Sequence, residues 1–355
     1  MSRTDPHPPI PAARTDITDD WMSRALGVDV AIVEEQRVGT GQVGMCVRYR
    51  LEGSDEAPAR VVAKLPSDDD VSRATGVAMR NYEREVRIYN EIAPTVGIRT
   101  PRCYHADWDA DSGLFVLVLE DLAPAQQGDQ IEGCTVDEAA LALYELAKLH
   151  APRGADPTLA DIAWLSHRDA QGVAMLQALY QSVWPGFLEI YAPVMTPSQV
   201  ALGEQLGASL GRWAAGDDAP RAVTHGDYRL DNMLFGTAEG GYPLAVVDWQ
   251  TPGRGPALSD ASYFLGAGLL PDERRVHEVD LLRRYHEQLQ AGGVHDFSWD
   301  ACWDGYRRFA FSGCIMSVVA SMVVGSSERG IAMFSAMTER HFTHAEDVDA
   351  VEFLR

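Results

Sequence analysis

The order of strand-like and helical patterns is the feature that most constrains the fold of this chain. Segments in which apolar residues alternate or run continuously cluster in the first third of the sequence, at residues 28–33, 45–51, 60–65 and 114–119. Helical periodicity dominates the last two thirds, interrupted by a loop-and-hairpin region at 224–256. Because strands and helices are segregated along the chain, the sequence predicts an α+β fold built as two lobes.

The change of pattern also gives the predicted domain boundaries. Residues 1–14 are rich in proline and predict a flexible tail. Residues 15–122 predict a small N-terminal lobe with an antiparallel β-sheet and one main helix at 79–92. Residues 123–355 predict a larger, mostly helical C-terminal lobe. A chain of 355 residues is long enough for two tightly joined lobes and short for three domains.

Capping residues mark where two further helices begin. Thr18 is placed to cap a short amphipathic helix that directs Trp21 inward. The sequence Thr135-x-x-Glu138 is a capping box, and the helix that it opens runs to about His150. We expect these two helices to begin at those residues.

Glycines at positions 39, 41 and 44 form a G-x-G-x-x-G pattern, which occurs in dinucleotide-binding folds and in kinases. In a dinucleotide-binding unit the third glycine opens a helix, whereas Gly44 here opens the alternating strand at 45–51. A glycine turn between antiparallel strands can fold over phosphates, with Gly39, Gly41 and Gly44 as the contacting positions. An ordinary glycine-rich hairpin turn would have the same spacing.

Lys64 lies inside the apolar strand Val61–Leu65, where a charge is costly unless it is matched. It could contact the α- and β-phosphates of a nucleotide while a glutamate of the next helix holds it. Glu85 lies about 40° from the centre of the apolar face of that helix and Glu83 about 120° away, so Glu85 is the expected partner. The alternative is an edge-strand lysine that points to water.

The sequence from His225 to Asp248 carries the strongest chemical signal. Strands at 233–235 and 244–247 predict a hairpin, with Asn232 just before the first strand and Asp248 just after the second. Antiparallel pairing brings these two positions to the same end, with Asp227 one loop away. Oxygen ligands of this kind suit Mg²⁺. A polar loop could explain each residue singly, but not the three together.

These motifs resemble those of the aminoglycoside phosphotransferase-like kinases, a branch of the protein-kinase-like fold that includes choline-kinase-like and ecdysteroid-kinase-like enzymes. His225-Gly226-Asp227 followed by Asn232 is similar to the family's catalytic loop. Asp248-Trp249-Gln250 stands where a protein kinase has D-F-G, and residues 85–89 resemble the helix that carries the lysine partner. The resemblance covers roughly residues 30–265, with every part in the expected order.

The resemblance implies a two-lobed protein-kinase-like fold and a catalytic role for Asp227, which would orient or deprotonate the hydroxyl of the acceptor. Asn232 and Asp248 would hold Mg²⁺. Arg229, two residues after Asp227, stands where protein kinases often place a lysine that contacts phosphate. The implied cofactors are therefore ATP and Mg²⁺.

The resemblance also implies a nucleotide site in the N-terminal lobe. Lys64 with Glu85 would fix the α- and β-phosphates, and the backbone from Glu120 to Leu122 would offer hydrogen bonds to adenine. The implied reaction transfers the γ-phosphate to a hydroxyl of a small molecule.

The sequence departs from protein kinases at two points. Gly226 replaces the arginine that often follows the catalytic-loop histidine. Only twelve positions separate Asp248 from Asp260, which leaves no room for a long activation loop and argues against a protein substrate. Asp260 resembles a family aspartate that braces the catalytic loop.

Composition excludes several classes of partner. The chain has 30 Lys and Arg against 52 Asp and Glu, a formal charge of −22 that repels nucleic acid and anionic lipid. Its five cysteines are scattered and form no disulfide or zinc pattern. The longest uncharged stretch, 309–325, contains serines and predicts a buried helix rather than a membrane span, so we expect a cytoplasmic protein.

Two other functional classes stay open. A regulatory pseudokinase that binds nucleotide without catalysis would show a lost Asp or Asn, and both are kept here. A protein kinase fits the short segment after Asp248 poorly. The sequence indicates neither the identity of the hydroxylated acceptor nor the oligomeric state. The pair His341 and His344 has helical metal-ligand spacing, but a solvated or packed face is the better interpretation.

Overall fold

The computed structural model describes residues 8–39, 44–167, 169–216, 219–324 and 327–355. It has two compact units. The first contains the described parts of Met1–Thr95, Arg99–Ala125 and Gly236–Thr251, and the second those of Val96–Ile98, Gln126–Phe235 and Pro252–Arg355. The sequence placed 236–251 in the helical lobe, whereas these residues cluster with the first unit. The predicted lobe limits otherwise stay a prediction.

The first unit is built on a five-stranded antiparallel sheet in the order β1-β2-β3-β5-β4. Its strands are β1 (Val30–Val38), β2 (Gly44–Gly53), β3 (Arg60–Pro66), β4 (Cys103–Trp108) and β5 (Phe115–Glu120). Helix α1 (Asp19–Leu26) begins at the predicted cap, because the Thr18 side chain accepts a hydrogen bond from the Trp21 backbone N–H. Buried Trp21 and Met22 pack with the apolar face of the sheet.

The N-terminal segment corrects the prediction of a flexible tail for residues 8–14. The Trp21 indole N–H donates to the Pro9 carbonyl over 2.7 Å, and Ile10 packs on the core of the first unit. These two contacts attach a proline-rich segment, whose composition alone predicts a flexible tail, to helix α1 and to the core of the first unit. The remaining tail residues, 1–7, lie outside the described residues.

The main helix of the first unit differs from the predicted single helix at 79–92. Helix α2 (Asp70–Ala78) precedes it, capped by the Asp69 side chain, and the sequence did not predict it. Arg80 then adopts a left-handed conformation with φ of 57°, which separates α2 from α3 (Asn81–Arg87). The chain continues from α3 into a wider helical turn at Ile88–Ile92.

The second unit is mostly helical. Its helices are α4 (Val136–His150), α5 (Ala170–Tyr191), α6 (Pro197–Ala215), α7 (Ala257–Gly268), α8 (Pro271–Ala291), α9 (Trp299–Arg308), α10 (Ala310–Val323) and α11 (Glu328–Asp347). The predicted capping box of α4 is present, since Glu138 and Thr135 each bond the other's backbone N–H. Helix α10 is largely buried, as predicted. Within the described ranges, no helix combines the length and apolarity needed to cross a bilayer.

Short strands frame the loop that carries the candidate site. In the second unit β6 (Gln126–Gln127) pairs with β8 (Met233–Thr237), and β7 (Arg221–Thr224) pairs with β10 (Gly253–Pro256). The first unit holds β9 (Gly240–Val246). The chain reverses at residues 238–239, and Gly236 lets the two sides of the turn approach closely, since a Cβ there would lie 2.5 Å from the Tyr242 carbonyl oxygen. This turn agrees with the predicted hairpin.

Candidate active site

Lys64 is the buried cation of the first unit. It lies in β3 with 8% of its surface exposed, and its ammonium nitrogen is 2.7 Å from Glu85 Oε1 and 2.8 Å from Asp248 Oδ1. Burial by itself would lower the pKa of Lys64, but the two carboxylates outweigh burial and raise that pKa above its ordinary value. The alternative of an edge-strand lysine facing water is therefore wrong.

The predicted choice between the two glutamates of α3 is confirmed by geometry. Glu85 is 1% exposed and contacts Lys64, whereas Glu83 pairs with Arg80, just before the helix, and with Arg87 at its end. Burial raises the pKa of Glu85, and the nearby ammonium group opposes that rise. The sequence missed Gln250, whose amide nitrogen lies 3.4 Å from Glu85 Oε2.

Asp248 lies in the segment that follows β9 and contacts Lys64 beside Glu85. Its backbone is left-handed, with φ of 64°, a conformation that aspartate tolerates better than most residues. The side chain is 39% exposed, so the carboxylate both contacts Lys64 and reaches solvent. Lys64, Glu85 and Asp248 thus form one charge cluster within the first unit.

The predicted glycine loop is described in part. Gly44 begins β2, and a Cβ added there would lie 3.1 Å from Lys64 Cε, so the absence of a side chain makes room for the lysine stem. Gly39 has φ of 75°, a left-handed conformation that glycine adopts without strain. Gly41 lies outside the described residues.

The segment predicted to contact adenine lines a small cavity of about 170 Å³ at the end of β5, bounded by Glu120, Asp121, Leu122, Ala123, Gly241 and Tyr242. Glu120 accepts hydrogen bonds from the Arg99 guanidinium over 2.6 Å and from the Arg102 backbone over 2.9 Å. Its carboxylate is therefore already bonded within the protein. The adenine contacts of Glu120 and Leu122 stay a prediction.

The catalytic-loop motif lies in the second unit and is held by Asp260 of α7. The Asp260 carboxylate accepts hydrogen bonds from the backbone N–H groups of His225, over 2.7 Å, and Gly226, over 3.1 Å. Gly226 has φ of 79°, which accounts for glycine at this position. His150 at the end of α4 is buried and lies 3.4 Å from Asp260. Asp260 thus fixes the backbone immediately before Asp227.

Three side chains donate hydrogen bonds to the Asp227 carboxylate. Arg229 Nε lies 3.1 Å from both carboxylate oxygens, Asn232 Nδ2 lies 2.9 Å from Oδ2, and the Tyr263 hydroxyl lies 3.0 Å from Oδ1. Asn232 also donates to the Asp227 carbonyl over 2.8 Å. The three predicted residues of this loop, Asp227, Arg229 and Asn232, are therefore in direct contact.

Arg229 is bound by carboxylates on both sides. Its guanidinium contacts Asp227 and also Asp231, at 2.6 Å. Burial alone would lower the pKa of Arg229, but Asp227, Tyr263 and Asp231 outweigh burial and raise it. The predicted contact of Arg229 with phosphate stays a prediction.

Tyr263 was missed by the sequence analysis, although a signal was present. It lies three residues after Asp260 on α7, so the two side chains lie near the same helical face. Its ring stacks on the ring of His341 with centroids 5.2 Å apart. His341 and His344 are both fully buried, and burial lowers the pKa of His341 to about 3. This supports the packed interpretation of the histidine pair.

Comparison with known proteins agrees with these features. The model of the phosphotransferase enzyme family matches residues 48–302. The GDP complex of wild-type aminoglycoside 2'-phosphotransferase-IIIa superposes with a TM-score of 0.55 at 14% identity, over 89% of this chain and 94% of that one. Choline kinase from Cryptosporidium parvum Iowa II gives a TM-score of 0.54 at 10% identity, over 89% and 88%. At such identities these likenesses show the fold alone, which is protein-kinase-like.

One curated relative is longer than this chain. The uncharacterized oxidoreductase dhs-27 of Caenorhabditis elegans is 21% identical over 337 residues, which cover 80% of this chain and 39% of that protein. The chain thus spans about two fifths of the length of that relative.

Proposed function

Because the chain belongs to the phosphotransferase enzyme family, we propose that it is an ATP- and Mg²⁺-dependent O-phosphotransferase that acts on a hydroxyl group of a small molecule. The observation that carries the proposal is the buried ammonium group of Lys64, placed between Glu85 and Asp248. Two carboxylates beside one ammonium group leave the cluster with more negative than positive charge, so a polyphosphate would bind there together with Mg²⁺, which offsets the negative charge.

Lys64 would contact the α- and β-phosphates while Glu85 keeps its ammonium group in place. The pKa of Lys64 is raised, so the charge persists at neutral pH. Gly39, Gly41 and Gly44 would let the backbone approach the phosphates, and Glu120 to Leu122 would offer backbone groups to adenine. The similar structure named as a GDP complex supports a nucleotide ligand for this fold.

The residues predicted to hold Mg²⁺ have suitable chemistry. Asn232 uses its amide nitrogen to bond Asp227, so its amide oxygen is the atom left to act as a metal ligand. Asp248 offers a carboxylate that is 39% exposed. Oxygen ligands such as these suit Mg²⁺, which when bound neutralises charge on the phosphates. We propose Asn232 and Asp248 as the protein's ligands.

Asp227 would act on the acceptor. As the acceptor oxygen forms its bond to the γ-phosphorus, the bond from that phosphorus to the β–γ bridging oxygen breaks and ADP leaves. The hydroxyl proton passes to the Asp227 carboxylate. Arg229 would help to orient this carboxylate through its ion pair, and would contact phosphate if its guanidinium reaches the transferred group.

A coupled assay of ADP release tests this proposal. The wild-type chain is incubated with ATP, Mg²⁺ and a panel of hydroxylated metabolites, choline and aminoglycosides, beside an Asp227→Ala variant. At least one acceptor should stimulate ADP release, and the variant should lose about 10² or more of that rate while still binding nucleotide. Nucleotide binding without ADP release for any acceptor would favour a pseudokinase. Labelling of a generic protein substrate would instead favour a protein kinase.

A further inference from the structure

We propose that Tyr263 is a positioning residue for Asp227, whose carboxylate it holds in one rotational orientation. The inference rests on the proposed function, in which Asp227 accepts the proton of the acceptor hydroxyl. Its basis is the 3.0 Å hydrogen bond from the Tyr263 hydroxyl to Asp227 Oδ1.

Tyr263 is itself firmly placed. It is 5% exposed, lies one helical turn after Asp260 on α7, and stacks on the buried His341 ring. Asp260 bonds the loop backbone at His225 and Gly226, so one helix fixes both the loop and the side chain that follows it. Burial, followed by the Asp227 carboxylate, raises the pKa of Tyr263 well above its ordinary value, so the phenol keeps its proton and donates.

The count of hydrogen bonds shows what this donor does. A carboxylate offers about four acceptor positions, and the three donors Arg229 Nε, Asn232 Nδ2 and the Tyr263 hydroxyl occupy about three of them. About one position is then left for the acceptor hydroxyl. Arg229 Nε is shared between both oxygens, so it resists rotation of the carboxylate less than a donor directed at one oxygen. Tyr263 supplies the only such donor to Oδ1 within the described residues.

Tyr263→Phe removes the hydroxyl and keeps the ring stacked on His341. We expect kcat to fall about tenfold or more while KM for ATP stays within about twofold, because the lost interaction orients the base and does not bind nucleotide. Because the tyrosine acts through Asp227, the same substitution should cause no further loss in an Asp227→Ala background.

Tyr306→Phe is the matched control. The Tyr306 hydroxyl also donates a hydrogen bond to a buried carboxylate, that of Glu278, over 2.7 Å. Like Tyr263, Tyr306 is buried in the second unit. This variant should keep the wild-type kcat. An equal loss of kcat in both variants would overturn the inference, because it would show a general effect of removing a buried hydroxyl. A wild-type kcat in Tyr263→Phe would overturn it as well.

Crystal structures of the wild-type protein and Tyr263→Phe give a readout that needs no turnover. The Asp227 carboxylate should be rotated or should occupy more than one orientation in the variant. A carboxylate that superposes on the wild type would refute the positioning role even if no acceptor is found. Absence of ADP release by the wild type, in contrast, would count against the proposed function alone.

Discussion

Lys64 is one of only two lysines in the chain, and its environment makes a prediction about stability. A lysine with a raised pKa contributes stability that is present below its unfolded pKa of about 10.5 and is lost only at higher pH. Lys64→Met leaves Glu85 buried without its cation. Because burial already raises the pKa of Glu85, the variant should be destabilised most at a pH high enough to ionise that carboxyl group.

We therefore expect Lys64→Met to lower the free energy of unfolding by about 3 kcal/mol at pH 8 and by less at pH 5. The sign follows because a carboxyl with a raised folded pKa favours folding while protonated, and this stability is lost as pH rises. Urea unfolding at pH 8 and at pH 5 measures this loss of free energy. Arg50→Met is the control, since Arg50 is 48% exposed and its pairs with the exposed Glu34 and Glu52 should contribute about 1 kcal/mol or less. An equal loss at both pH values would contradict the argument.

Gly44 makes a second prediction at this scale. The methyl group of Gly44→Ala would lie 3.1 Å from Lys64 Cε, so the lysine stem has to shift. If Lys64 contacts phosphates, affinity for Mg²⁺-ATP should fall about tenfold, as titration by thermal shift would show. Gly172→Ala is a matched control, because its nearest neighbour, Asp169 Oδ1, would be at an ordinary 3.4 Å. Unchanged affinity in Gly44→Ala would place the phosphates elsewhere.

At the scale of elements, the helix cap at Thr135 links local sequence to the candidate site. Helix α4 begins at this capping box and ends at His150, which contacts Asp260 and the Tyr285 hydroxyl. Thr135→Ala should lower the free energy of unfolding by about 1 kcal/mol, because the Glu138 backbone N–H loses its partner. Thr135→Ser keeps the oxygen and should stay near wild type. Equal losses in both variants, measured by urea unfolding, would argue against capping as the cause.

The same scale shows why some elements could be predicted and others could not. Strands β2, β3 and β5 follow from apolar runs that the core buries, and α4 follows from its cap. The apolar residues of helix α2, Val71 and Val77, are exposed, as is Met79 at its end. The sequence of α2 therefore has no apolar stripe that packs against the core, and no such pattern predicted the helix. Strand β4 mixes polar and apolar residues, and it owes its place to pairing with β5.

For the whole molecule, the sequence predicted which residues group together within each unit. Lys64 meets Glu85 because helical periodicity directs Glu85 inward, and Asp227 meets Asn232 because the loop between them is short. The contact of Lys64 with Asp248 spans 184 positions and was not predicted, because neither helical periodicity nor hairpin pairing relates β3 to the segment after β9. Tyr263 was missed because its contact with Asp227 depends on where α7 lies against the loop, which periodicity alone does not determine.

The net charge of −22 makes a prediction that belongs to the whole chain. Carboxylates that repel one another across the surface destabilise the compact state, and salt screens this repulsion as the Debye length falls from about 30 Å at 0.01 M to about 8 Å at 0.15 M. The melting temperature should therefore rise by a few degrees between these NaCl concentrations. For a chain of this size, a gain of about 1 kcal/mol in the free energy of unfolding raises the melting temperature by about 2 to 4 °C.

Screening also weakens exposed ion pairs such as Arg37 with Asp68, but such pairs contribute little, whereas the buried Lys64 cluster is screened much less. Repulsion should therefore determine the sign of the salt effect. A chloride and a nitrate salt should act alike at equal ionic strength, whereas a neutral osmolyte at the same osmolality should not reproduce their effect. A melting temperature that falls with salt would show that attractive surface pairs outweigh repulsion among the 52 acidic residues.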